Sequence, residues 1–79
     1  MVPQRVLTTI GKKLFTVLRN ENCQHEQHVA IGRFLDEISR WTIWEVCLEL
    51  KVMVYKLETE GFHSQATNII IYMMKKITV

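Results

Sequence analysis

The stretch TIWEVCLELKVMVYKLETEGF, residues 42–62, decides the fold class. Val46, Leu48, Leu50, Val52 and Val54 alternate at period two, the pattern of a half-buried strand. Ile43, Val46, Cys47, Leu50, Met53, Val54 and Leu57 recur three or four apart, the stripe of a helix. Two local signals favour the helix. Thr42 stands three residues before Glu45, so its hydroxyl can accept from the Glu45 amide while the carboxylate reaches back. Leu, Glu, Lys and Met also outweigh β-branched residues across the run. Gly61 suits a left-handed position just past the helix end, with Phe62 packing back behind it. The spacing therefore predicts a helix over 43–60.

Outward from that helix, the same periodicity recurs. Val6, Leu7, Ile10, Leu14, Val17 and Leu18 share a face over 4–19, weakened by Gly11 in mid-run. Residues 20–24 have no periodicity and read as a loop. Ile31, Phe34, Leu35 and Ile38 mark a helix over 25–40. Ser64 can cap a last helix over 64–77, with Ala66, Ile69, Ile70, Met73, Met74 and Ile77 on one face. The fold class expected is all-α: one domain of three to four helices. A core of 79 residues lies near the lower size limit for a fold that stands alone. Trp44, Leu48, Val52 and Tyr55 fall beside or opposite the main stripe of the third helix, and Tyr72 falls off that of the fourth. These five are the candidate partner surface, and homodimerisation is the simplest way to cover it.

Composition removes several classes. Hydrophobic residues make up 48%, too many for intrinsic disorder, and the 23% charged share suits a cytoplasmic globular protein. Two cysteines are too few for a disulfide scaffold. No run approaches the ~18 apolar residues of a membrane span. Thr8, Thr9, Gly11, Lys12 and Lys13 interrupt what a secretory signal would need as a continuous apolar core, and the acid-free start also argues only weakly for a transit peptide. The net charge is +2, but it is uneven. Residues 1–20 hold Arg5, Lys12, Lys13 and Arg19 with no acid, whereas all eight acids fall in 21–60. That basic face is the candidate site for phosphate or an acidic partner.

Catalytic chemistry finds no foothold. Ser39 and Ser64 are the only serines, the acids are dispersed, and Gly11, Gly32 and Gly61 are too far apart for a phosphate loop. Cys23, His25 and His28 form a C-x-H-x-x-H cluster with His63 distant, one ligand short of a local four-ligand zinc site. A polar loop and helix start explain it better, so neither metal nor cofactor is expected. Cys47 reads as a core residue. Trp41 and Trp44 read either as an anchor for a partner or as a packed corner between helices.

Phe15 ends the first element, and Gln24 to Gln27 leads into Val29-Ala30-Ile31-Gly32. Leu35, Glu37 and Ile38 follow, then a helix reaching Leu57-Glu58 and an apolar helix through Ile70 and Met74. In this order, Phe15 to Val79 resembles the YmgB/AriR-type family of small bacterial biofilm-development and two-component connector proteins. The link Ser39 to Thr42 is shorter than that family tends to have, and Trp41 and Trp44 are foreign to it. The resemblance implies an all-helical homodimer without catalytic residues. It would modulate biofilm, acid-resistance or capsule genes through a phosphorelay response regulator or by contacting DNA. The reading of the sequence is a non-enzymatic regulatory protein acting by protein–protein contact. The alternatives are a DNA-associated regulator using the basic face, or a phage- or plasmid-type anti-repressor or inhibitor.

Overall fold

The computed structural model describes residues 6–77. Four helices follow in order: α1 (Thr9–Asn20), α2 (Gln24–Glu37), α3 (Ile43–Thr59) and α4 (His63–Ile77). No strand occurs among the described residues, so the chain is all-α.

Both ends of α3 are fixed by short-range hydrogen bonds. Thr42 Oγ1 accepts the Glu45 N–H at 3.2 Å, and Glu45 Oε1 accepts the Thr42 N–H at 2.8 Å. At the other end Gly61 has φ +87°. Its N–H donates to the Glu58 carbonyl at 3.1 Å, and the Phe62 N–H donates to the Leu57 carbonyl at 2.8 Å. This pair of bonds is a Schellman closure, and it turns Phe62 onto the core.

The other boundaries depart modestly from the periodicity. α1 starts at Thr9, several residues later than the stripe suggests, because Thr8 is tied down on both sides. Its hydroxyl accepts the Gly11 N–H at 3.1 Å, while its own N–H and hydroxyl both donate to Glu49 of α3 at 2.9 Å. Leu7 is buried from the non-helical lead-in. The helix α2 ends at Glu37 rather than Arg40, since the Trp41 N–H bonds the Ile38 carbonyl at 2.9 Å and closes a turn. Ser64 is not the cap of α4. The Phe62 carbonyl accepts the Ala66 N–H at 3.1 Å, which places Ser64 inside the first turn.

α1 packs on α2 and α3, and α4 packs on α3 and α2, so two helical hairpins face each other. Leu14 and Leu18, Ile31 and Phe34, Leu50, Met53 and Leu57, and Ala66 and Ile69 bring all four helices into one core. Covering α3 from two sides corrects one expectation. Val52, taken from its position off the main stripe as a partner-surface residue, is 3% exposed and belongs to the core. Cys47, expected in the core, is only half-buried, and Ile43 at the head of the stripe is 63% exposed.

The fourth helix is also rotated from its apolar stripe. Its buried residues include Gln65 and Asn68 beside Ala66 and Ile69, while Ile70 and Met74 are exposed. A polar relay holds this setting. Asn68 Nδ2 donates to Gln27 Oε1 on α2, and Gln27 Nε2 donates to the Glu21 carbonyl at 2.8 Å. Buried amides need partners, so the relay outweighs the burial that Ile70 would gain.

Candidate interaction surface

Rotation of α4 leaves an apolar groove between α3 and α4. It has a volume of about 610 Å³ and is lined by Val54 and Tyr55 of α3 and by Ile70, Met73 and Met74 of α4. Lys51 and Glu58 stand at its rim on α3. Met74 is 58% exposed and Tyr55 is also exposed, so the groove opens to solvent on apolar atoms. Beyond the groove, the Trp44 side chain in the first turn of α3 is 81% exposed. A smaller cleft of about 110 Å³, lined by Leu35, Ile43, Cys47 and Tyr72 among others, continues past Met73.

Of the five residues expected on the partner surface, three share one arc. At 100° per residue, Trp44, Leu48 and Tyr55 fall within about 40° of each other on α3. Tyr72 does not join them. It is half-buried, with its ring edge-on to that of His28 of α2 at 5.6 Å between centroids. The groove residues Ile70, Met73 and Met74 lie on the one apolar face that periodicity gives α4. Periodicity registers a stripe but not how much of it a neighbour covers: Met73 is half-buried, whereas Ile70 and Met74 are exposed. The two tryptophans divide between their readings. Trp41 packs edge-on against Phe34, with centroids 6.2 Å apart, and Trp44 faces solvent.

The basic face is narrower than its sequence. Arg5 lies outside the described residues. Arg19 is engaged: its Nε stands 3.2 Å from Glu60 Oε1, and its guanidinium lies 5.5 Å from the Phe15 ring centroid and 5.6 Å from that of Phe62. It clips the end of α1 to the α3–α4 corner. Lys12 and Lys13 are exposed, and Lys13 borders a cleft between α1 and α2 with Arg33 and Glu37.

The histidines and Cys23 are scattered in role. Cys23 and His25 are exposed at the start of α2, His28 sits against Tyr72, and His63 Nδ1 lies 2.6 Å from Glu58 Oε2. Among the described residues no three His, Cys, Asp or Glu side chains converge on a point that could hold a metal. None of the described helices is long and apolar enough to cross a membrane.

Fold and groove together define a small four-helix module with an adaptable apolar face. Compared with known proteins, the chain matches no family model, no curated protein and no solved structure.

Proposed function

We propose that this chain is a non-enzymatic regulatory protein that acts in the cytoplasm by protein–protein contact through the α3–α4 groove. The observation that carries the reading is the open groove lined by Val54, Tyr55, Ile70, Met73 and Met74, with Trp44 exposed on the same helix. Methionines fill irregular contacts at little strain, and Tyr and Trp dominate the energetics of interfaces. Its partners are a second copy and a regulatory protein such as a response regulator. The resemblance set out above supports a bacterial phosphorelay, with biofilm or acid-resistance genes as its output. DNA association is the lesser reading, since Arg19, though exposed, is ion-paired with Glu60, which leaves Lys12 and Lys13 as the cations of α1 outside an ion pair among the described residues.

Quantitative affinity capture from the native host tests this. Tyr55→Glu with Met74→Glu alters two exposed groove residues and should abolish capture of the regulatory partner while circular dichroism shows the chain still fully helical. Lys12→Gln with Lys13→Gln should leave capture intact. Capture unchanged by the groove substitutions, or steeply salt-dependent DNA binding lost in the lysine variant, would overturn the reading in favour of the basic face.

A further inference from the structure

The groove carries two charges at its rim, and their placement identifies an occupant. Lys51 and Glu58 lie seven residues apart on α3, two helical turns along one line, about 10 Å at 1.5 Å per residue. Midway between them stand Val54 and Tyr55, both lining the groove. A two-fold axis at that midpoint reverses the line onto itself, exchanging the positive end for the negative one.

Resting on the reading of the groove as the contact surface, we propose that a second copy of this chain occupies it. The α3 helices lie antiparallel about a two-fold axis at the level of Val54 and Tyr55. Lys51 then faces Glu58 of the partner subunit, and Val54 meets Tyr55 of the partner subunit. Isologous contacts require a self-complementary patch, and this one is self-complementary in both charge and polarity.

Other arrangements are disfavoured by the same residues. Centring the axis on Lys51 would set lysine against lysine, and centring it on Glu58 would set carboxylate against carboxylate. Laying α3 on the partner's α4 instead would offer Lys51 no countercharge, because His63–Ile77 contains no acid. The contact of Glu58 Oε2 with His63 Nδ1 at 2.6 Å holds the carboxylate at the rim, and a carboxylate has acceptor sites to spare. A charged pair at the rim contributes mainly register, while the apolar floor supplies the burial.

Sedimentation equilibrium of charge variants tests the arrangement, with circular dichroism to confirm that each variant is folded. The native chain should dimerise. Lys51→Glu and Glu58→Lys should each dimerise about tenfold or more weakly, since each sets like charges face to face twice. Mixing the two variants should produce a heterodimer, because every facing pair then has opposite signs. The double variant K51E/E58K should dimerise like the native chain, a rescue that also controls for any loss of folding in a single variant. Single variants that dimerise as well as the native chain, or a mixture that stays monomeric, would overturn the proposed register. A native chain that is monomeric while Tyr55→Glu with Met74→Glu still abolishes partner capture would overturn the second copy and spare the groove. Capture insensitive to those groove substitutions would sink the underlying reading.

Discussion

Glu49 of α3 fixes the start of α1. It is fully buried, and its Oε2 accepts both the N–H and the hydroxyl of Thr8, each at 2.9 Å. Its Oε1 is buried without a hydrogen-bond partner among the described residues. A carboxylate at the first turn of α1 is favoured by the helix dipole, which offsets part of its desolvation. Room for it comes from Gly11. A Cβ there would stand 1.9 Å from Glu49 Oε2 and 2.9 Å from Cδ. Gly11, expected in mid-run, stands in the first turn of α1, and a helical glycine normally costs up to about 1 kcal/mol relative to alanine. Here the preference reverses. Gly11→Ala should lower stability by about 2 kcal/mol or more, because either the carboxylate or the α1–α3 contact must shift. Urea denaturation of Gly11→Ala, Glu49→Ala and the double variant should show strong non-additivity, with alanine at 11 tolerated once Glu49 is shortened. A stabilised Gly11→Ala single variant would show that α1 is not seated on Glu49 as described.

The helices differ in what fixes them. At α3 the control is local, through the capping box and the Gly61 closure. Thr42→Ala should cost about 1 kcal/mol, measured as a shift of the denaturation midpoint with an unchanged slope. At α4 the control is tertiary. Asn68→Ala removes the partner of the buried Gln27 amide and should cost about 2 kcal/mol beyond the effect of side-chain size, measured against Ala66→Gly as a packing control. A loss at Asn68 no larger than at Thr42 would mean that the relay does not set the rotation of α4. These two helices also mark what sequence reasoning can reach. The four helices, the Thr42–Glu45 cap and the role of Gly61 were legible because their determinants lie within a few residues of each other. The rotation of α4, the burial of Val52 and the engagement of Arg19 were not, because each depends on a residue from another helix. The groove was hidden for the same reason: Ile70, Met73 and Met74 share one apolar face, and contacts from the other helices decide that Met73 is half-buried on the core while Ile70 and Met74 are exposed.

At the scale of the whole molecule, burial is incomplete where the two helices of the second hairpin meet. A domain of 79 residues has little surplus stability, so covering the groove should add visibly to it. The melting temperature of the native chain should therefore rise with protein concentration. The Tyr55→Glu, Met74→Glu variant should melt at one temperature across the same range, and parallel behaviour of the two would exclude the groove as the associating face. Every residue lining the groove belongs to α3 or α4, whereas Glu21, Gln27, Arg19 and Thr8 in the first half of the chain hold that hairpin in place. The two halves of the described chain thus carry different duties. Residues 43–77 can change what the molecule meets, one exposed side chain at a time, while residues 6–42 are held to whatever keeps the scaffold upright. Substitution on the second hairpin should accordingly redirect specificity while the first is left as a fixed chassis.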